Sequence, residues 1–409
     1  MKKRGKTIAC LDIGSSEVRI LLAREIPNSA GESALQILGL ASGPSYGLRK
    51  GVIADTDEVS RAIRVTTNKL IRETGAEINW VVLGLDGPHL STASSTGTIA
   101  VSTASEKISA DDVQRVFEQA KNMLPRKNNQ LVIEVLPQFY KVDGEISIEP
   151  PIGLFGKRLE AEVLIIENSA PAMEKIDKSV LNAGLKVSGK IISTLASGQS
   201  VLTKRQKELG VVIIDIGAGV TGIAVYEEGR ILQLKNLAIG GAHITNDVAI
   251  GLKLPVEVAE KIKIKYGQAT EEGIRKEALI DLSKIDESEK NQISQYKLTE
   301  IIEARLFEIF TLINKELKSI GRQKLLPAGA VITGGVAKTR HIAELAKNVL
   351  ELPAKIGLPF PQDGILNEPG PELATILGLA IMAFEENANI NNSGGILETA
   401  KELLKKFIP

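Results

Sequence analysis

Asp12-Ile13-Gly14-Ser15-Ser16 closes the apolar run Thr7–Leu11, and Asp215-Ile216-Gly217-Ala218-Gly219 closes the run Val211–Ile214. Each stretch reads as a buried strand ending in a carboxylate and then a turn of small residues. Small residues leave backbone N–H groups uncovered, and such turns form concave anion sites. One carboxylate per turn suits a magnesium ion held through its waters. Taken singly, each Asp-Ile-Gly is an ordinary turn signal, since Asp and Gly favour turns. Taken together they predict a nucleotide clamped between two related halves.

The sequence that follows each turn repeats. After Asp12 come the strands Val18–Ala23 and Leu35–Ala41 and a helix from Thr56. After Asp215 come the strands Ile223–Tyr226 and Arg230–Lys235, joined by Glu227-Glu228-Gly229, and a helix near Thr245. Internal repetition of this length is architectural information that a lone motif lacks. A third strand-to-glycine turn, Ala330-Val331-Ile332-Thr333-Gly334-Gly335, would let a backbone pass close to a flat ligand such as adenine.

Composition narrows the function classes. The chain has 409 residues, with 50 Lys+Arg against 50 Asp+Glu, so bulk charge gives no grip on nucleic acid. Aromatic residues are 3%, too few for a base-stacking surface. Cys10 is the sole cysteine, which excludes an intramolecular disulfide and fits a reducing compartment. His89, His243 and His341 share no metal-ligand spacing, and no metal is assigned to them. The basic start Met1-Lys2-Lys3-Arg4 runs into a β pattern rather than a signal peptide, and no apolar run reaches membrane-span length.

The chain divides as an α/β protein with two duplicated halves and an insertion. A first subdomain spans 1–83, and its helix from Thr56 carries Val59, Ala62, Ile63, Thr66 and Leu70 on one face before Gly75. An inserted α/β subdomain follows at 84–164, with Ser109 as N-cap of its helix. The chain returns to the first subdomain at 165–195, enters a second core at 196–242, forms a small subdomain at 243–304, and completes the second core at 305–386. Leu298–Ile320 predicts a long helix across the 304/305 boundary, and Glu372–Phe384 a closing one. Asn387–Gly395 reads as a polar, flexible linker. In the final piece, 396–409, the residues Ile396, Leu397, Leu403, Leu404, Phe407 and Ile408 recur at helical spacing against Glu398, Lys401, Glu402, Lys405 and Lys406. That pattern predicts an amphipathic helix able to lie in a membrane interface.

The three turns together resemble the actin–Hsp70–sugar kinase fold. Longer stretches narrow the likeness: 239–252 (Ile-Gly-Gly-Ala-His-Ile-Thr-Asn-Asp-Val-Ala-Ile-Gly-Leu), 259–267 (Ala-Glu-Lys-Ile-Lys-Ile-Lys-Tyr-Gly), 301–310, and Pro151-Ile152-Gly153-Leu154 with Arg158–Val163 are similar to the FtsA family of bacterial cell-division proteins. The resemblance implies ATP and Mg2+ as ligands. It places Asp12, Gly14, Ser15 and Ser16 in a first phosphate loop and Asp215, Gly217, Ala218, Gly219 and Thr221 in a second. Gly240 and Gly241 would pass near the nucleotide, Gly334 and Gly335 flank adenine, and Glu260 and Lys263 contact the adenosine. Asp12 and Asp215 would hold magnesium through water. The family pattern also implies self-association into filaments, other division proteins as partners, and the division septum at the cytoplasmic face of the membrane as the location. It implies that the tubulin-like protein FtsZ binds the small subdomain of the second half, near Arg305 and Glu308, and that the terminal helix is the membrane anchor.

One departure bears on chemistry. Gly217-Ala218-Gly219-Val220-Thr221 stands where the family often has Gly-Gly-Gly-Thr, and Val336 stands where a third glycine is common. No general base is legible, and Gln199, near the connection of the halves, has no position fixed by sequence. These points predict an assembly ligand with slow turnover at most. The rival readings are a PilM-like pilus-assembly adaptor and a small-molecule kinase of the same superfold, which fold alone does not separate.

Overall fold

The two aspartate turns cap the opening strands of two sheets laid down in the same order. The computed structural model describes residues 7–27, 33–102, 105–124, 129–147, 149–287, 289, 291–361, 363–364 and 368–391. In the first half, β1 (Thr7–Ile13), β2 (Glu17–Pro27) and β3 (Ser33–Pro44) form an antiparallel meander. A hairpin of β4 (Leu48–Arg49) and β5 (Val52–Ile53) leads into α1 (Thr56–Thr74), which returns the chain to β6 (Trp80–Leu85), parallel to β1. The insertion follows as β7 (Ser91–Ala100), α2 (Ala110–Met123), β8 (Gln130–Val142), β9 (Glu145–Ser147) and β10 (Arg158–Ser169), with sheet order β7-β10-β8-β9. Then α3 (Ala170–Asn182) and β11 (Lys186–Ile192), parallel to β6, complete the first sheet.

Two helices, α4 (Ser193–Val201) and α5 (Lys204–Leu209), connect the halves. The second half repeats the meander as β12 (Val211–Ile216), β13 (Thr221–Glu227) and β14 (Arg230–Leu237). Next come α6 (Gly241–Leu252), α7 (Val256–Tyr266), the strand pair β15 (Leu279–Asp281) and β16 (Gln292–Ser294), and α8 (Gln295–Ser319). β17 (Ala330–Thr333) lies parallel to β12, α9 (Ile342–Leu350) follows, and β18 (Ala354–Ile356) lies parallel to β17. The chain then crosses back: β19 (Asp363–Gly364) adds to the first sheet beside β3, and α10 (Ala374–Asn391) packs against α4 and β1. The order β3-β2-β1-β6-β11 of the first sheet is thus matched by β14-β13-β12-β17-β18 in the second.

Local chemistry fixes where the helices begin and end. α1 starts where the Asp55 carboxylate accepts the N–H groups of Asp57 and Glu58 and stops at Gly75, whose φ of 65° an L-residue adopts only with strain. Its expected face, Val59, Ala62, Ile63, Thr66 and Leu70, is buried, and each large aliphatic residue on it stabilises by about 1.5–3 kcal/mol. In α2 the Ser109 hydroxyl and the Asp112 carboxylate form a reciprocal capping box. α8 begins earlier than the apolar periodicity suggests, because the Ser294 hydroxyl caps the Lys297 N–H; it then buries Leu298, Ile302, Leu306, Ile309, Phe310, Ile313 and Leu317. The expected division at 304/305 therefore falls inside one continuous helix.

Two further expectations meet a different chain path. α10 runs past Phe384 to Asn391, so the first five residues read as linker are helical; the rest of that linker and the helix expected at 396–409 lie outside the described residues. The insertion also shares its core with the second half: Leu136, Leu164 and Ile166 pack in one cluster with Val211, Ile213, Ala224 and Leu234. Arg230 on β14 donates to the Gln138 carbonyl across that boundary at 2.8 Å.

Candidate nucleotide cleft

A cavity of about 540 Å³ opens between the two sheets, lined by both aspartate turns and the third glycine turn. The turns match atom for atom. Gly14 N–H donates to the Glu17 carbonyl at 3.0 Å, and Gly217 N–H donates to the Val220 carbonyl at 2.9 Å. Each aspartate also faces the residue seven positions on: Asp12 pairs with Arg19, and Asp215 with Gly222. The duplication legible in the sequence is therefore kept in hydrogen-bond register.

Asp12 is 9% exposed, with the Arg19 guanidinium 3.9 Å away. Burial pushes its pKa up to about 6; Arg19 pulls it down and Asp215 pushes it up. Asp215 is likewise raised by burial, against hydrogen bonds from Ser197 and from Thr375 at 2.9 Å. Two crowded carboxylates with one distant cation leave excess negative charge, and a hydrated divalent ion suits that donor set.

On the opposite wall Lys263 ties α7 to the start of α6, donating to Glu260 at 2.6 Å, Thr245 at 2.8 Å and the Gly241 carbonyl at 3.2 Å. Glu260 and Lys263 are thus a positioned pair lining the cavity rather than a solvated one. Ile264, Ile302 and Val336 add an apolar wall beside Gly334 and Gly335, suited to a flat ring.

The structure brings Asp12, Gly14, Ser15, Ser16, Asp215, Gly217, Ala218, Gly219, Gly241, Glu260, Lys263, Gly334 and Gly335 to one cavity. Thr221 and Gly240 do not line it. The Thr221 hydroxyl is buried and donates to the Ile239 carbonyl, and Gly240 packs against the carbonyls of Gly217 and Ala218. Arg305 and Glu308 lie elsewhere, on α8. Arg305 forks onto Asp247 of α6 at 2.5 and 2.9 Å and also pairs with Glu308, so its guanidinium is engaged within the fold. Gln199 does not line the cavity; its amide meets Glu385 and Lys207. Burial pushes the Cys10 thiol up to about 12, which keeps it inert. His341, passed over on spacing, groups with Glu272 and Glu344 on the surface, all ligand atoms within 4.8 Å.

The turns also touch each other. A Cβ on Gly219 would lie 2.4 Å from the Ser15 Oγ, and a Cβ on Gly51, at the tip of the β4–β5 hairpin, would lie 2.1 Å from Val220. Val220, the branched residue in the second loop, thus fills the space that Gly51 leaves.

Asp86 is one of the cavity residues that sequence reading missed. It follows β6 as Leu85-Asp86-Gly87, the same strand–carboxylate–glycine grammar as the other turns, and that was the available signal. Desolvation between the cleft walls raises its pKa, although the side chain stays open to the cavity. The Gly87 and Asn236 hydrogen bonds pull it down, and Asp215 and Asp12 push it up. Its side chain opens onto the cavity.

Two duplicated sheets around a cleft, with a four-stranded insertion, define an actin-like α/β protein. The solved structures agree on the fold. The PilM–PilN type IV pilus biogenesis complex superposes with TM-score 0.65 at 18% identity, covering 92% of this chain and 98% of that one. MreB5 of Spiroplasma citri bound to ADP does so with TM-score 0.55 at 13% identity, covering 95% and 99%. The family comparisons are narrower. Residues 212–378 match the family "Cell division protein FtsA", and residues 87–167 match "SHS2 domain inserted in FTSA", which identifies the insertion. Cell division protein FtsA of Pseudomonas aeruginosa is 33% identical over 94% of this chain and 91% of its own length; that of Bacillus subtilis is 33% identical over 85% and 78%. The chain belongs to the FtsA family of cell-division proteins.

Proposed function

We propose that the chain is an ATP-binding division adaptor that polymerises on the cytoplasmic face of the membrane at the septum and tethers FtsZ filaments there. The observation that carries the nucleotide part is the pair of carboxylate turns, in the same register, on one cavity. Backbone N–H groups at Ser15, Ser16, Ala218 and Gly219 would hold the phosphates, and Asp12 and Asp215 would hold Mg2+ through its waters. Bound there, Mg2+ would offset the phosphate charge. Glu260 and Lys263 would meet the ribose, and the adenine would lie against Gly334, Gly335 and the Ile264–Ile302 wall. The MreB5 structures bound to ADP and to AMPPNP support this reading by analogy of fold.

Assembly would run head to tail, because heterologous contacts that do not close give filaments. The face of α8 bearing Glu308, set by the Arg305–Asp247 fork, would receive FtsZ, and the helix at 396–409 would insert Ile396, Leu397, Leu403, Leu404, Phe407 and Ile408 into the membrane. Among the described residues no helix is long and apolar enough to cross a membrane. The pilus-adaptor reading has fold likeness only, since the relatives at 31–34% identity are division proteins.

Calorimetry with ATP and Mg2+ tests the nucleotide part. Each charge-assisted contact contributes about 1.5–3 kcal/mol, so Asp215→Ala should cost about tenfold or more in affinity. Unchanged affinity in a folded Asp12→Ala, Asp215→Ala double variant refutes it. Capture on an immobilised FtsZ C-terminal peptide tests the partner, and no capture by the ATP-loaded protein refutes that.

A further inference from the structure

We propose that Asp86 is the general base of a slow nucleotide hydrolysis in this cleft, an assignment that rests on the nucleotide reading above. The duplication supplies the first argument. β6 holds the place in the first sheet that β17 holds in the second, so the Asp86-Gly87 turn is the counterpart of the Gly334-Gly335 turn. One half offers bare backbone to the cavity at that place, and the other offers a carboxylate.

The second argument is orientation. Asp86 accepts a hydrogen bond from Asn236 Nδ2 at 2.6 Å. Asn236 is 4% exposed and is itself fixed, donating to the Gly87 carbonyl at 3.0 Å and accepting from Thr194 at 3.3 Å. Three elements from both halves and the connection therefore aim one side chain, as a proton acceptor requires.

The third argument is elimination among the acids that line the cavity. Asp12 and Glu17 face Arg19, Glu260 faces Lys263, Glu372 faces Lys338, and Asp215 holds the Ser197 and Thr375 hydroxyls. Asp86 is held by a neutral amide and keeps its basicity. Among the described residues the one trio of ligating side chains within 4.8 Å of one another is Glu272, His341 and Glu344, so Asp86 does not merge with Asp12 and Asp215 into one metal-binding cluster. The charged groups that act on it are Asp12 on β1 and Asp215 on β12. Desolvation first, and the two aspartates after it, raise its proton affinity above that of an ordinary carboxylate.

In the step, the water oxygen bonds to the terminal phosphorus. The bond from that phosphorus to the bridging oxygen breaks, and its electron pair leaves on the nucleoside diphosphate. Asp86 takes the water's proton and later returns it to solvent.

The test uses the full chain with ATP and Mg2+, measuring affinity by calorimetry and single-turnover hydrolysis in parallel. Asp86→Asn keeps the contact with Asn236 but cannot accept the proton. Affinity should stay within about threefold while hydrolysis falls by about 100-fold or more. In the unaltered protein the rate should rise with pH as Asp86 loses its proton, and that rise should vanish in Asp86→Asn. Full turnover in Asp86→Asn, a flat pH profile in the unaltered protein, or ATP binding with no turnover at all overturns the assignment and leaves the nucleotide reading standing. No ATP binding by the unaltered protein overturns both.

Discussion

Gly334→Ala should damage the fold and the cleft together, and Gly335→Ala should not damage the fold. Gly334 has φ 84° and ψ 176°, a region almost confined to glycine, and a methyl-bearing residue held there costs about 1–3 kcal/mol. Its new Cβ would also lie 2.4 Å from Asp215 Oδ1 and 2.6 Å from the Ile216 carbonyl oxygen. Neither neighbour is a flexible chain end, and overpacking of this kind costs about 1–3 kcal/mol more. The expected loss is therefore about 2–6 kcal/mol, with Asp215 displaced and affinity for ATP with Mg2+ reduced about tenfold or more. Gly335 meets nothing within 4 Å, so its alanine variant should lose less than about 1 kcal/mol of stability while obstructing a ring that approaches the turn. Urea titration followed by far-UV circular dichroism reads the first quantity, and calorimetry reads the second. If Gly334→Ala unfolds at the same urea concentration as the unaltered protein, or if Gly335→Ala proves as costly, the turn does not have this geometry.

Asp12 should make the nucleotide-free protein less stable as pH rises. Its folded pKa, about 6, lies above an unfolded value of about 3.9, so the contribution is fully present below pH 4 and is lost by pH 6. In the absence of Mg2+, Asp12→Asn should therefore be more stable than the unaltered protein at pH 7.5, by about 1–3 kcal/mol, with the gap closing near pH 4; a less stable variant at pH 7.5 would contradict this. Arg305→Ala should lower stability by about 1 kcal/mol through loss of the Asp247 fork, and Arg305→Lys should not restore it, whereas Glu308→Ala should weaken capture by an FtsZ peptide at unchanged stability. Deleting the residues after Gly395, or combining Leu404→Asp with Phe407→Asp, should release the protein from anionic vesicles in a flotation assay and leave ATP binding intact. A truncated protein that still floats would show that the anchor lies elsewhere.

Much of the fold was legible because its signals are local. The carboxylate turns, the face of α1 and the Ser109 cap each depend on residues within a few positions of one another. Glu260 and Lys263 were visible as one helical turn, yet what holds them, Thr245 and the Gly241 carbonyl, belongs to another helix. Asp86 escaped because its partner Asn236 is 150 positions away, although its own tripeptide repeats the grammar of the turns that were found. Thr221 shows the converse error: it stands in the motif, but its hydroxyl turns inward to Ile239 and leaves the cavity to backbone atoms. The two-residue β19, which returns from the second half to the edge of β3, carries no periodicity at all.

Ser15 against Gly219 and Gly51 against Val220 bring the two jaws of the cleft into contact at its phosphate end. A guest that could enter only with those contacts broken would stay until they break again. Its dwell time would then be set by how often the protein gapes rather than by the guest's own grip. Neighbours that brace both jaws would stop the exchange altogether, so a subunit inside a polymer would keep whatever it carried in, and only the ends would refresh. A bulkier side chain at position 51 would prop the jaws and make the clock run fast.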